Sequence, residues 1–286
     1  MVARSHATKR RAGGLPHAAY NTTVERISSR QNAVVKRFRA LIRAGSIDDE
    51  VLLDGVHLLE EALSAGMRIE VAAFAEPLIS GPLAALAART EAVHARTIAV
   101  PQEVLTTIGP VRHPSGVVAI AQLRRRALDE ALAGERPLVV ILHEVQDPGN
   151  VGAVVRAAEA CGATGVVTTS GTADPYGWKS LRGAMGSAFR LPIATGISPG
   201  RLGTALDARG ISLMAAVPRN GTPLPEADLT GPAAILLGGE GAGLPPEVVA
   251  DAHARLTIPM KAPVESLNVA IAASLILYEA ARQRCN

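Results

Sequence analysis

The segment 258–284, IPMKAPVESLNVAIAASLILYEAARQR, constrains the fold more than any other. It leaves a β-prone stretch at 256–260 that contains Pro259, crosses turn-forming residues at 261–265, and enters a helix apolar on most faces, with Leu267, Val269, Ile271, Leu275 and Tyr278. A helix of that kind is stable only where a large surface covers it, so the chain must build a substantial core in front of it. Ser266 stands where an N-cap is expected and Asn268 in the first turn; free backbone N–H groups at a helix start suit an oxygen-rich or anionic ligand. Capping alone would account for both residues equally well.

Two upstream stretches weigh against capping alone. Residues 233–240 (AAILLGGE) read as a buried strand that runs into a glycine-rich turn, and a glutamate among glycines at the end of such a strand is a costly placement unless it is used. Residues 137–144 (PLVVILHE) repeat the pattern and lead into Asp147, Asn150, Gly152 and Arg156 at the start of an alanine-rich helix. Repeated strand and helix patterns from 137 onward predict a parallel sheet covered on both faces, with ligands at the carboxyl ends of its strands.

Ahead of this lies a second α/β unit. A basic amphipathic helix is expected over 27–45, with Val34, Val35, Phe38, Leu41 and Ile42 on one face and Lys36, Arg37, Arg39 and Arg43 mostly on the other. Strands at 51–53, 69–75, 98–100 and 116–122 alternate with helices at 55–66, 83–90 and 102–108. The expected division is a flexible basic arm at 1–26, a small α/β domain at 27–123, a charged, partly helical linker at 124–136, and the parallel-sheet domain at 137–286.

Charge is distributed unevenly. Residues 1–43 hold ten lysines and arginines against the single acid Glu25, a balance of +9; with the whole chain at +3, the remainder carries −6. A basic end on a mildly acidic body suits a polyanion, and Arg30, Lys36, Arg37, Arg39 and the loop residue Arg112 are the candidate RNA contacts. A solvated tail that keeps the chain soluble is the competing reading. Aromatic residues make up 2% of the chain, too few for recognition by base stacking, so backbone and ribose contacts are expected. No long uncharged apolar run, no secretory leader and no Cys/His cluster with metal spacing occur, and a cytoplasmic, metal-free protein is expected.

Together N-x-G-x-x-x-R at 150–156, G-G-E-G-x-G-L at 238–244 and I-P-M…S-L-N-V-A at 258–270 resemble, in order and spacing, the three motifs of the SpoU/TrmH branch of the SPOUT methyltransferases. Asp54, Gly55, His57, Leu58, Glu61 and Ala62 likewise resemble the E-G-x-H-L-x-x-E-A run of the ribosomal-protein-like front domain found in many of these proteins, with Asp54 where Glu is commoner; His57 by itself could equally be a capping residue. The resemblance implies a deep C-terminal trefoil knot threading residues from about Met214 onward, a homodimer packed through the C-terminal half, and methyl transfer from S-adenosylmethionine (AdoMet) to a ribose 2′-hydroxyl of structured RNA. It assigns Arg156, Asn150, Glu240, Ser266 and Asn268 to catalysis. Ala215, Ala216, Val217, Gly238, Gly239, Gly243, Ile258, Met260 and Leu267 are expected around the cofactor, with the glycines admitting close approach of main chain to ligand. Among RNAs, 23S rRNA is favoured over tRNA, and the layout is similar to actinomycete ribosomal-RNA methyltransferases that confer antibiotic resistance. Three alternatives stand beside this reading. An NAD(P)-linked oxidoreductase is disfavoured because neither glycine loop is G-x-G-x-x-G; the others are a non-catalytic RNA-binding protein and a base methyltransferase.

Overall fold

The computed structural model describes residues 24–241 and 243–285. Most of the expected basic arm therefore lies outside the described residues. The arm's last residues, expected to be flexible, instead form β1 (Glu25–Arg26), which pairs in parallel with β5 (Arg96–Val100). This corrects the expected helix start as well: Ile27 continues the extended chain with its side chain buried, and α1 begins only at Ala33 (Ala33–Ala44), where the Asn32 side chain accepts the Val34 N–H. Gly45 closes α1 at a φ of 85°.

The first sheet is mixed, in the order β1-β5-β4-β6-β3-β2, with β2 at Ser46–Ile47, β3 at Glu50–Asp54, β4 at Arg68–Ala75 and β6 at Val117–Gln122. α1 and α5 (Gln102–Ile108) cover one face, where Phe38, Leu41, Leu105 and Ile108 pack against Leu52, Ile98 and Ile120. α2 (Val56–Ser64) and α4 (Ala84–Ala92) cover the other, and a short helix α3 (Glu76–Ile79) that the sequence pattern did not reveal follows β4. α6 (Leu128–Ala131) is the helical part of the connection to the second sheet.

That second sheet is wholly parallel, in the order β11-β13-β10-β12-β7-β8-β9. Its central strands, β7 (Leu138–His143) and β12 (Ala233–Gly238), are almost entirely buried, as continuous Val/Ile/Leu runs with helices on both faces must be. The others are β8 (Gly165–Thr168), β9 (Ile193–Ala194), β10 (Ser212–Ala216), β11 (Thr222–Pro223) and β13 (Ala254–Thr257). α10 (Pro199–Asp207) and α11 (Pro246–Ala250) lie on one face. α7 (Pro148–Ala160) and α12 (Val269–Arg284) lie on the other, and their apolar layer runs without interruption into the α2/α4 side of the first sheet. Two short helices follow β8, α8 (Trp178–Ala184) and α9 (Ser187–Arg190), separated where Met185 and Gly186 both take positive φ. No described helix is long and apolar enough to cross a membrane, and no described group of His, Cys, Asp and Glu could hold a metal ion.

Candidate active site

Three adjacent parallel strands, β10, β12 and β13, end at one edge, and the chain leaving each builds one side of a pocket of about 600 Å³ closed by the first turns of α12. Its walls are apolar, from Leu237, Leu244, Leu256, Ile258, Leu267 and Ile276, and its rim is polar or bare main chain, from Gly238, Gly239, Glu240, Ser266 and Asn268. Such a space at the carboxyl ends of parallel strands suits a flat heterocyclic ligand with polar appendages.

The first turn of α12 starts two residues later than expected. Asn268, not Ser266, is the N-cap, its Oδ1 accepting the Ala270 and Ile271 N–H groups at 2.9 and 3.3 Å. The carboxamide oxygen reaches two orphan donors at once, which leaves Ser266 free on the pocket wall. This cap also orients a polar chain. With Oδ1 committed as acceptor, the Asn268 amide must donate, and it does so to Asn150 Oδ1 at 3.0 Å; Asn150 in turn donates through Nδ2 to Glu240 Oε1 at 2.6 Å. The other Glu240 oxygen accepts the Gln146 N–H at 3.3 Å. The cap thus fixes the direction of both amide links, and Glu240 ends the chain as an acceptor.

α7 begins at Pro148, ahead of Asn150. Asp147 caps it by accepting the Asn150 N–H at 2.8 Å, and Pro148 occupies its first position, so Asn150 sits in a helical first turn rather than in a loop. The Asp-Pro pair is a sequence signal for that start.

The structure brings Ala216, Val217, Gly238, Gly239, Gly243, Ile258, Met260 and Leu267 to the pocket wall together with Glu240, Ser266 and Asn268. Pro218, Ala272 and Ile276 join them, and nothing in the motifs marked these three. Asn150 does not line the pocket itself but is hydrogen-bonded to Glu240 and Asn268, which do; two further residues, Ala215 and Arg156, stand elsewhere. Ala215 does not line the pocket, because β10 alternates its faces and the Ala215 side chain packs in the opposite layer beneath α10. Arg156 lies six residues beyond Asn150, about 9 Å further along α7. It is exposed and makes no side-chain hydrogen bond or ion pair among the described residues.

The chain's own backbone also requires the glycines. A Cβ on Gly239 would fall 2.2 Å from the Glu144 carbonyl oxygen, and one on Gly238 2.5 Å from the Gly243 carbonyl carbon. These two are required by the protein's own backbone, which sets Gly239 against Glu144 and Gly238 against Gly243 and Leu244. Gly243 instead needs its φ of 69°. Glu144 itself holds a φ of 54°, unusual for a non-glycine residue.

The candidate RNA residues divide. Arg30, Lys36, Arg39 and Arg112 are exposed, with no side-chain ion pair among the described residues. Arg37 differs from them: both carboxylate oxygens of Glu50 hold its guanidinium against β3, and this pairing raises its pKa. That contact serves the fold.

Comparison with known proteins agrees with the motifs. The family model of the SpoU rRNA methylases matches residues 137–278. The chain is 30% identical over 258 residues to the 23S rRNA (guanosine(2553)-2′-O)-methyltransferase RlmP of Bacillus subtilis, covering 89% of this chain and 98% of that one. It is 32% identical to the 23S rRNA (uridine(2479)-2′-O)-methyltransferase of Streptomyces viridochromogenes, covering 91% and 92% respectively. The AdoMet-bound crystal structure of an rRNA methyltransferase from Sinorhizobium meliloti superposes with a TM-score of 0.78 at 30% identity, over 90% of this chain and 97% of that one.

Proposed function

The chain belongs to the SpoU rRNA methylase family, and from that premise we propose that it methylates a ribose 2′-hydroxyl of structured RNA with AdoMet, a nucleotide of 23S rRNA ahead of tRNA. The observation that carries the reading is the one-directional chain from the α12 N-cap through Asn150 to Glu240 at the pocket rim. Its members are polar residues of all three motifs, drawn together from across the sequence.

The pocket fits the cofactor. Its apolar walls accept an adenine ring, its volume is that of a nucleoside-sized ligand with a side arm, and its main-chain rim offers the hydrogen bonds such a ligand needs. Ala216, Val217, Gly238, Ile258, Met260 and Leu267 would hold it. Bound AdoMet supplies an electrophilic methyl group and its own leaving group, so no protein nucleophile is required. What remains for the chain is to align the attacking oxygen and ease the loss of its proton. Asn150, with its amide held between Asn268 and Glu240, and Ser266, with its hydroxyl unused by the cap, are the groups to orient the ribose. Arg156 is a poor base because a guanidinium hardly deprotonates, so it acts by binding the neighbouring phosphate and stabilising the developing alkoxide.

Arg156 does not line this pocket within its own chain, which supports a homodimer. Ile271, Leu275 and Tyr278, on one stripe of α12, are 53, 42 and 66% exposed, an apolar surface suited to a second copy. The trefoil knot finds support in the strand order: β13 lies beyond β10, yet α12 returns beneath β12 to pack on α7. The first sheet, with Arg30, Lys36, Arg39 and Arg112 facing solvent, is the RNA-binding domain and the second the methyltransferase domain, working in the cytoplasm where ribosomal RNA resides. A methyl in a drug-contacting segment of that RNA would confer antibiotic resistance, which translation assays before and after methylation measure.

Transfer of labelled methyl from AdoMet to protein-free 23S rRNA, 16S rRNA and bulk tRNA tests the proposal, with Arg156→Ala beside the wild type. Label should enter 23S rRNA at one alkali-resistant linkage, and the variant should lose about 100-fold or more in rate while binding AdoMet normally. Label in tRNA alone would transfer the assignment to that substrate, and label on a base would replace ribose chemistry with base methylation.

A further inference from the structure

We infer that the Asp54–Arg182 ion pair is a positioning element for methyl transfer, holding the first sheet in fixed relation to the turn of α7 that carries Asn150; the inference rests on the function proposed above. Asp54 ends β3, immediately before the glycine that opens α2. Arg182 lies in α8, on the other half of the molecule, and its Nη1 donates to Asp54 Oδ2 at 2.7 Å.

This pair is a poor way to stabilise a fold. The Asp54 side chain is only 4% exposed, whereas that of Arg182 is 47% exposed. Asp54 Oδ1 is buried without any hydrogen-bond partner, the single such side-chain atom among the described residues. Burial raises the pKa of this carboxyl, and Arg182 only partly opposes the rise. A half-partnered, desolvated carboxylate costs stability. Its use must therefore lie in where it holds Arg182.

Arg182 precedes Gly183, and at Gly183 the two helices touch through bare main chain. A Cβ on Gly152 of α7 would sit 2.2 Å from the Ser180 carbonyl oxygen and 2.9 Å from Gly183 Cα. One on Gly183 would sit 3.2 Å from the Gly149 carbonyl oxygen. With no side chains between them to absorb a displacement, α8 cannot shift without carrying the first turn of α7. Asn150 lies in that turn and links Asn268 to Glu240. The path from the RNA-facing sheet is thus Asp54, Arg182, Gly183 against Gly149 and Gly152, then Asn150.

Other contacts keep the halves docked if the pair is removed. Ser46 donates to Asp174 Oδ2 at 2.8 Å, Trp178 packs on the core beneath α1, and Arg190 joins Glu159 of α7 to Glu61 of α2. Loss of the pair should therefore move Asn150 without undocking the sheets.

Asp54→Asn, Arg182→Gln and Arg182→Lys, made in the full chain, test this by RNA methylation kinetics, AdoMet titration and thermal unfolding. We expect Asp54→Asn and Arg182→Gln to lower kcat on 23S rRNA by about tenfold or more, as small misplacements of reacting groups do. AdoMet affinity should stay within about twofold and Asp54→Asn should unfold no earlier than wild type, since it removes a buried charge. Arg182→Lys should recover most of the rate. Hydrogen exchange of the 149–153 amides should quicken in the two slow variants alone. Unchanged kcat in both, or a kcat loss that follows a fall in thermal stability, overturns the inference while leaving the function standing. A wild type that binds AdoMet but methylates no RNA overturns both.

Discussion

Asn268 does two jobs that a single substitution can separate. Aspartate caps a helix as well as asparagine but has no amide to donate to Asn150. Asn268→Asp should therefore change unfolding free energy by less than about 0.5 kcal/mol while lowering methylation about tenfold or more, as chemical denaturation and a methyl-transfer assay would show. Asn268→Ala should lose both, about 1 kcal/mol of cap included. Asp54 gives a pH test of the same kind. Because burial raises its pKa, its favourable contribution to stability is complete below the carboxyl's ordinary pKa of 3.8 and is lost as pH rises through the raised folded value. The stability gained in Asp54→Asn should accordingly be absent in acid and grow towards neutral pH. At this scale the motifs name residues without fixing which of them meet: the Glu240 partner is Asn150. Which side chains meet is a matter of distances across some ninety positions of chain, and no local pattern carries it.

At the scale of elements, the α7–α8 contact is the most sensitive joint. Gly152→Ala gains up to about 1 kcal/mol of helix propensity, but its methyl would lie 2.2 Å from a backbone carbonyl that cannot rotate away. The clash wins, and net destabilisation of about 1–3 kcal/mol is expected from thermal or urea unfolding. Strand and helix order from 51 onward was legible because buried parallel strands are long apolar runs and helices repeat every 3.6 residues. Short elements were not. β1, β11 and α3 each have too few residues to show a period, and β1 is a strand only because β5 presents an open edge to it. The start of α12 was misplaced because Ser266 and Asn268 are both good caps, and the choice belongs to which one can also reach Asn150.

For the whole molecule, the exposed cations of the first sheet and the pocket of the second lie on one body joined by a shared apolar layer. A double reversal, Lys36→Glu with Arg39→Glu, should weaken RNA binding and make the slope of log affinity against log salt shallower by about one for each phosphate no longer neutralised. AdoMet affinity should not change. The same reversal at Arg37 would instead break the Glu50 pair and lower stability, a difference that charge counting along the helix could not foresee.

By itself the sequence determined the alternation of strands and helices, the parallel sheet, and the three motifs from which the candidate site is drawn. These are written in periodicity, composition and motif spacing, all of which are local along the chain. Only the tertiary structure decided that Gly238 and Gly239 are spent on the protein's own backbone, that Ala215 faces away, that Arg156 stands outside its own pocket, and that Asp54 is buried half-partnered against Arg182. Each of those follows from which surfaces end up pressed together once the chain has closed on itself, and that depends on every element at once.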